Sequence, residues 1–254
     1  MAKIVERIFD IIEALADEKE ISLTELAKKL YLPKGTTCRL LMSLKTRGYV
    51  DQNPITRRYR LGVRIVSVGR KVLGNVDLRI ESRVVLENLL RETKESIHLA
   101  ILQSGEVVFV DSLPSLHSLR VHKLPGERGP VHCTAVGKVL LAYAVLPKVN
   151  EIIKQKGLPQ LTPNTITSAS DLKKRLDRVR RQGFAIDDEE SNEGCRCIAA
   201  PIRDHTDRVI AALSITGPST RITPERFNQL ADLVKRAADK ISARLGFSPQ
   251  ITSK

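Results

Sequence analysis

The fold of the N-terminal part is decided by residues 21–48, which read ISLTELAKKLYLPKGTTCRLLMSLKTRG. Ser22 and Glu25 have the spacing of a capping box, in which each side chain accepts the other residue's backbone N–H at the start of a helix. Pro33 suits the first position of a second helix because that position needs no N–H donor, and Gly48 can end that helix in a left-handed conformation. The stretch therefore predicts two helices joined by a tight turn.

The second of these helices has two chemically different faces. Its inward positions are Leu40, Leu41 and Leu44, and its outward positions, three to four residues apart, are Thr36, Arg39, Ser43 and Arg47. Arginine can bond two acceptors on guanine, and hydroxyls can bond phosphates or base edges. This outward face is typical of a recognition helix, which a DNA-binding protein inserts into the major groove.

The flanking segments complete a small domain. Residues 4–15 form an amphipathic pattern typical of a helix, and residues 49–52 and 58–61 predict two short strands around a turn, a hairpin that we name the wing. Residues 26–60 contain nine lysines or arginines but a single acid, Asp51. Such concentrated positive charge favours contact with DNA. The alternative is a small helical subdomain whose basic residues only keep it soluble.

Composition and charge agree with a protein of two domains that binds an anionic partner. The chain has 254 residues with 42% hydrophobic content, a net charge of +13 and a pI near 9.8. We find no apolar run of transmembrane length and no signal peptide, so we expect a cytoplasmic protein without a membrane partner. The four cysteines are too few for a disulfide scaffold and suit a reducing compartment.

The remainder of the chain predicts an α+β fold. A helix over residues 62–74, interrupted by Gly69, should join the domains, and residues 78–93 should form a second helix. Strands and helices then alternate, beginning with a hairpin over residues 97–111. The predicted strands lie at 97–102, 107–111, 184–187, 195–201 and 209–216, and the predicted helices at 134–144, 149–156, 169–182 and from 223 to about 245. We therefore assign residues 1–61 to a DNA-binding domain, 62–77 to a linker helix and 78–248 to a second domain, for which the family resemblance of the motifs below implies effector binding and oligomerisation.

Several motifs resemble the IclR family of bacterial transcription regulators. They include VERIFDII (residues 5–12), ISLTELA (21–27), TAVGKVLLA (134–142), GFAIDDEE (183–190) and CIAAPI (197–202). The resemblance extends from about Ala2 to Phe247. It implies a winged helix-turn-helix, a GAF-like effector domain with an antiparallel sheet and flanking helices, and more often repression than activation. Gly35 stands where the family often has a serine, so Thr36 or Thr37 would have to replace that phosphate contact.

These observations together predict the DNA contacts and the assembly. A single recognition helix and wing cover only half a site, so two chains should pair on a palindromic operator, as a homodimer or as a tetramer made of two dimers. Double-stranded DNA is then the macromolecular partner. The predicted DNA-binding residues are Ser22, Lys34, Thr36, Thr37, Arg39, Ser43, Lys45, Arg47, Arg57 and Arg58.

A second site is expected where a helix begins near Thr134. The first N–H groups of a helix lack partners, and together with the helix dipole they can hold a carboxylate. The amides of Ala135 and Val136 would present such groups, while Ser214 and Thr216, two apart on a strand, share one face. The resemblance adds Asp187 and Cys197, which match positions that line the family's effector pocket. We therefore expect a small organic acid as effector.

An alternative function for the second domain is hydrolysis, with Cys197 as nucleophile, His132 as base and Asp187 as orienter, in a protein whose basic domain docks nonspecifically to nucleic acid. Another alternative is a metal site at His132, Cys133, Cys195 and Cys197, but the Cys-x-Cys spacing differs from the usual zinc motif. We therefore expect a non-enzymatic protein that holds no cofactor or metal.

Overall fold

A computed structural model describes the backbone of residues 2–73 and 78–248, with the side chains of Ala2 and of residues 69–73 left aside. The chain divides into two compact units between Val76 and Asp77. Residues 74–77 of the expected linker lie outside the described ranges.

The first unit combines helices with a two-stranded sheet. The strands β1 (Val50–Gln52) and β2 (Tyr59–Leu61) pair antiparallel, with Val50 opposite Leu61. The core between the helices and this hairpin contains Ile11, Leu15, Leu26 and Leu41, which are almost completely buried. The elements are α1 (Ala2–Ala16), α2 (Leu23–Lys29), α3 (Lys34–Thr46), β1 (Val50–Gln52), β2 (Tyr59–Leu61) and α4 (Arg64–Leu73).

The residues predicted to start and end helices in this unit are mostly found at those positions. The capping box at Ser22 and Glu25 is present, and Gly48 has a φ of 76°, in the left-handed region. Pro33, however, precedes the helix as its cap residue, so α3 starts one position later than expected. The expected interruption at Gly69 is wrong, because α4 continues from Arg64 to Leu73. A helix tolerates an internal glycine at a cost of only about 1 kcal/mol relative to alanine.

The second unit contains a six-stranded antiparallel sheet, whose strands in spatial order are β5 (Arg128–Gly129), β4 (Glu106–Leu113), β3 (Ser96–Gln103), β8 (Val209–Pro218), β7 (Cys195–Arg203) and β6 (Ala185–Asp188). A 3₁₀ turn at Pro224–Arg226 precedes the last helix, so that helix starts later than expected. The elements are α5 (Leu78–Thr93), β3 (Ser96–Gln103), β4 (Glu106–Leu113), β5 (Arg128–Gly129), α6 (Ala135–Ala142), α7 (Leu146–Lys156), α8 (Ala169–Gln182), β6 (Ala185–Asp188), β7 (Cys195–Arg203), β8 (Val209–Pro218) and α9 (Phe227–Arg244).

Helix α6 lies in the core of this unit, with all eight of its residues buried. It packs against the sheet through small strand residues, Ala100, Ala199 and Ala212. Gly137 allows the segment before α6 to pass close to the helix, because a Cβ there would lie 2.5 Å from the Cα of Val131. The strand alanines place α6 close against the sheet, and an antiparallel sheet covered by helices confirms the expected α+β fold class.

Candidate functional sites

The outer face of α3 carries exposed polar and basic side chains. Lys34, Arg39, Ser43 and Arg47 are all exposed, and Thr36 is half-buried. Within the described ranges, the three basic residues of this group have no ion-pair partner. The predicted recognition face therefore leaves its cations available to an anionic partner.

Thr37 does not belong to this face. Its side chain is completely buried, and its hydroxyl donates to the carbonyl of Pro33 at 3.2 Å. The expectation that Thr37 contacts DNA is therefore wrong. The reason is helical geometry, since position 37 follows position 33 by one turn and faces the same core as Leu41.

The basic wing is partly neutralised by acids of the same unit. Arg58 donates to Glu25 Oε2 at 2.7 Å and to the carbonyl of Glu20 at 3.3 Å. Arg60 pairs with Asp51 at 2.9 Å. Hydrogen bonds from Ser22 lower the pKa of the Glu25 carboxyl, which keeps it ionised beside Arg58. Arg58 thus links the wing to α2, and its predicted contact with DNA would compete with this ion pair.

Three other predicted DNA-binding residues differ in whether their side chains already have partners within the protein. Ser22 is engaged in the capping box, where its hydroxyl accepts the N–H of Glu25 at 3.2 Å. Lys45 is exposed and donates to the side chain of Gln52 at 3.1 Å. Arg57 is exposed in the turn of the wing with a φ of 59° and has no ion pair in the part of the chain that is described. Arg57 is thus the wing cation best placed to meet a phosphate.

The second unit contains a cavity of about 180 Å³ between the start of α6 and the sheet. All six residues predicted to bind an effector line it, so the fold brings together positions that are up to 81 residues apart in sequence. Besides Ala135, Val136, Asp187, Cys197, Ser214 and Thr216, the lining includes His98, Phe109, Val121, Lys123, Arg128, Gly129, Pro130, Thr134, Leu161, Ser191, Asn192 and Cys195.

At one end of the cavity lies the first turn of α6. Thr134 caps this helix, since its hydroxyl accepts the N–H of Gly137 at 3.2 Å and donates to the carbonyl of Pro130 at 2.6 Å. The cap leaves the N–H groups of Ala135 and Val136 without an intrahelical acceptor. Both residues are nearly completely buried at the cavity wall, where the helix dipole favours a negative charge.

The sheet supplies a polar wall. His98 on β3 lies opposite Ser214 on β8, and Thr216 lies opposite Cys197 on β7. Ser214 and Thr216 are buried to 2% and 4% exposure, so their hydroxyls are shielded from bulk water. A hydrogen bond with Cys195 and burial raise the pKa of the Cys197 thiol. Cys197 is therefore a neutral wall residue at pH 7, not a ready thiolate.

Asp187 lines the cavity, as expected, and is held by the loop that follows β6. Its carboxylate accepts the N–H groups of Glu190 and Ser191 at 2.8 and 3.2 Å, and the Ser191 hydroxyl at 2.5 Å. Asp187 therefore also shapes the cavity wall through this loop.

A buried ion pair connects the loop that follows β6 to helix α6. Lys138 of α6 is completely buried and pairs with Glu190, which is 3% exposed. Burial lowers the pKa of Lys138, while the neighbouring Glu190 and Asp187 oppose that shift. A buried pair of this kind is costly to break from one side. It therefore fixes the loop to the helix that provides the amide end of the cavity.

The residues of the hydrolase alternative are not arranged as a catalytic unit. His132 Nε2 lies 3.0 Å from the carbonyl of Pro159 and does not line the cavity that contains Cys197. Asp187 is engaged by the loop, and the thiol of Cys197 has a raised pKa. Among the described residues, no three His, Cys, Asp or Glu side chains gather as a metal site would require.

The sequence analysis missed several cavity residues, above all His98, Ser191 and Asn192. His98 had a usable signal, because it is a polar residue on the strand face that also carries the buried Ala100. Ser191 and Asn192 lie in a loop without periodicity and could not have been found in this way.

Within residues 2–73 and 78–248, none of the helices combines the length and the apolar composition that a membrane-spanning helix needs.

Comparisons with known proteins match both units. Residues 4–54 match the IclR helix-turn-helix domain, and residues 70–243 match the C-terminal domain of the bacterial transcriptional regulator IclR. The chain is 39% identical over 243 residues to the HTH-type transcriptional regulator KdgR of Escherichia coli K12, with 96% of this chain and 92% of that protein covered.

Two further matches support the same relationship. The chain is 32% identical over 239 residues to the transcriptional repressor IclR of Escherichia coli K12, with 93% and 87% of the two chains covered. The crystal structure of Pseudomonas aeruginosa HmgR, at 23% identity, superposes with a TM-score of 0.85 over 97% of this chain and 99% of that one. The last match shows a shared fold.

Proposed function

Because the chain belongs to the IclR family of bacterial transcriptional regulators, we propose that it controls transcription by binding a specific operator whose affinity depends on a small organic acid. The observation that carries this proposal is the first turn of α6, where Ala135 and Val136, whose N–H groups have no intrahelical acceptor, line a buried cavity. A carboxylate is the ligand group that a helix N-terminus favours.

The charges around the cavity support an anionic ligand. Lys123 and Arg128 belong to the lining, and each also pairs with a glutamate, at 3.5 Å from Glu127 and 2.9 Å from Glu106. Among the described lining residues, the one carboxylate is Asp187, which accepts three hydrogen bonds from the loop after β6 and has the cation of Lys138 nearby. These donors and the charge of Lys138 offset the repulsion between Asp187 and an incoming carboxylate.

The DNA-binding part of the proposal depends on α3 and the wing. Arg39 and Arg47 are the exposed guanidinium groups suited to base edges or phosphates, and Arg57 is suited to the phosphates beside the wing. One such unit covers a half-site, so we propose a dimer, or a pair of dimers, on a palindromic operator. Repression is the proposed outcome because relatives such as IclR of Escherichia coli are repressors.

The first experiment tests operator recognition. Purified protein selects fragments of its source genome at near-physiological salt, where nonspecific phosphate binding is weak. Enrichment of a few palindromic sites is the expected result. Equal recovery of all sequences, both without and with a panel of small acids, would contradict the proposal.

The second experiment tests the acid site. The panel of acids is screened by thermal shift against the wild type, Ala135→Pro and Ser214→Ala. Proline is tolerated at the first helical position, so Ala135→Pro removes one N–H donor with little effect on the helix backbone. Both variants should lose stabilisation by the acid, whereas Ser170→Ala, on the exposed side of α8, should keep it. An unchanged response of both cavity variants would refute the site.

A further inference from the structure

Helix α8 carries a row of arginines that neither the acid site nor the α3 face uses. Arg175, Arg178 and Arg181 follow one another at intervals of three residues, so they lie along one side of the helix. Arg178 and Arg181 are exposed, and Arg175 is half-buried. We call these three residues the arginine row. The second unit thus presents three neighbouring guanidinium groups on its surface.

The arginine row has no ion-pair partner within residues 2–73 and 78–248. The two acids of α8 are engaged by other cations, since Asp171 pairs with Lys174 at 3.1 Å and Asp177 pairs with Arg180. Arg180 also donates to the carbonyl of Ala142, which ties α8 to the end of α6. The charges of the arginine row therefore remain available to an anionic partner.

The fold of α8 does not need these three charges. Like charges three or four residues apart destabilise a helix. The helix forms nevertheless, because Leu172, Leu176 and Val179 are almost completely buried on its inner side and because Ser168 and Gly183 cap its ends. Local features that oppose the stability of an element are expected at functional surfaces. The repulsion within the arginine row is a feature of this kind.

The composition of the outer side of α8 favours nucleic acid over a protein or a membrane. Every exposed residue of α8 except Ala169 is polar or charged. Protein interfaces depend on buried aromatic and apolar anchors, and helices on a membrane surface depend on an apolar face. The outer side of α8 offers neither. Guanidinium groups, in contrast, bind phosphates through two parallel hydrogen bonds.

The length of the arginine row matches a phosphate backbone. The six residues from Arg175 to Arg181 rise by about 9 Å along the helix axis. One strand of DNA presents a phosphate about every 3.4 Å along the duplex axis, hence about three phosphates over the same length. The arginine row can therefore neutralise about three phosphates of one strand.

We propose that the arginine row binds the phosphate backbone of DNA outside the half-site that α3 reads, and so adds a sequence-independent contact from the second unit. This inference rests on the proposed operator binding. DNA that α3 already holds stays close to the rest of the chain, which makes the second contact intramolecular. The contact carries no base preference, because phosphates are the same in every sequence.

The test compares DNA fragments of two lengths that share one selected operator. Dissociation constants of the full chain are measured over a range of salt, for the operator alone and for the operator with about 40 bp of unrelated sequence on each side. The wild type should bind the longer fragment at least about fivefold more tightly. Its slope of log K against log salt should be steeper by roughly 2 to 3 per bound chain, since each neutralised phosphate contributes about 0.9.

Three double variants assign this gain to the arginine row. Arg178→Gln/Arg181→Gln should reduce the slope on the longer fragment by roughly 1.8 per bound chain and leave binding of the short operator unchanged. Arg178→Lys/Arg181→Lys retains the charge and should retain most of the slope. Lys148→Gln/Lys154→Gln is the matched control, because it removes the same charge from exposed positions of α7, and it should keep the whole gain.

A second measurement needs no variant. Ethylation of single phosphates should weaken binding of the wild type at a run of about three phosphates in the flanking sequence. Interference confined to the operator would contradict the inference.

The outcomes separate this inference from the proposed function. The inference fails if the flanking sequence brings no gain in the wild type, or if the α7 control loses the gain as fully as Arg178→Gln/Arg181→Gln does. In both cases the binding of the operator itself, and with it the proposed function, would stand. A wild type that selects no operator would refute the proposed function, and the inference would fail with it.

Discussion

At the residue scale, the basic side chains of the first unit separate into two groups. Arg58 and Arg60 are held by carboxylates of the same domain, whereas Arg39, Arg47 and Arg57 lie exposed without a described ion-pair partner. The sequence alone predicted DNA contacts for all of these except Arg60, and it did not distinguish Arg58 from Arg57. Arg39, Arg47 and Arg57 can each neutralise a phosphate, and so release a counterion condensed on the DNA, without first breaking an ion pair within the protein.

Arg39→Ala is expected to weaken operator binding by about 1–3 kcal/mol and to relax the preference at one base position, because a guanidinium can bond two acceptors of one base. The measurement is the dissociation constant for the operator and for its single-base variants. An equal loss on all sequences would show that Arg39 contacts only the backbone.

Arg57→Ala is expected to weaken all sequences alike and to reduce the slope of log K against log salt by roughly 0.9. Arg58→Ala is the matched control, since its side chain is engaged by Glu25 and Glu20. Arg58→Ala should reduce the slope of log K against log salt less than Arg57→Ala does. A larger change for Arg58→Ala than for Arg57→Ala would contradict this division.

His98 also makes the second unit sensitive to acid. Its pKa falls from 6.5 in the unfolded chain to about 3 in the folded protein. Below pH 6.5 the unfolded chain binds a proton that the folded protein does not, so stability decreases on acidification by at most about 1.4 kcal/mol per pH unit. Denaturant unfolding of the second unit at pH 6.5 and 5 should show a loss that is about 2 kcal/mol smaller in His98→Gln. An identical loss would refute the buried neutral imidazole.

At the element scale, the start of α6 depends on the absence of a side chain at Gly137. A Cβ there would lie 2.5 Å from two backbone atoms of Val131 and 2.6 Å from the cap oxygen of Thr134. Gly137→Ala should therefore destabilise the second unit by about 1–3 kcal/mol, as overpacking does, and abolish the thermal shift with acid.

Gly35→Ala provides the control for this prediction. Gly35 lies in α3 with nothing within 4 Å of an added Cβ. The change should stabilise the first unit by about 0.5–1 kcal/mol, because alanine loses less backbone entropy in a helix. The response to acid should remain. Thermal unfolding of both variants is measured with and without acid. Loss of the acid response in Gly137→Ala alone would show that acid binding depends on the backbone at the start of α6.

The elements themselves were largely predictable where caps and periodicity coincide. The ends of α8 were predicted correctly because Ser168 caps its start and Gly183, with a φ of 77°, ends it. Helix α7 begins three residues earlier than expected because Pro147 lies in its first turn and does not exclude it. The position of His98 opposite Ser214, and the pairing of Arg58 with Glu25, depend on tertiary contacts that local patterns do not encode.

At the scale of the whole molecule, the proposed acid can alter DNA affinity only if the DNA-competent and incompetent states bind the acid unequally. By linkage, operator DNA must then change the affinity for the acid by the same factor. Couplings of this kind typically amount to about 5- to 150-fold in affinity. This reciprocity holds irrespective of whether the outcome is repression or activation.

The most direct test of this account is the dissociation constant of the selected operator, measured with and without the acid that stabilises the protein. The account predicts a change of at least about fivefold in the wild type and none in Ala135→Pro, with equal operator affinity of both proteins when acid is absent. An acid that binds in the cavity but leaves the operator dissociation constant unchanged would contradict the central claim that this cavity controls DNA binding.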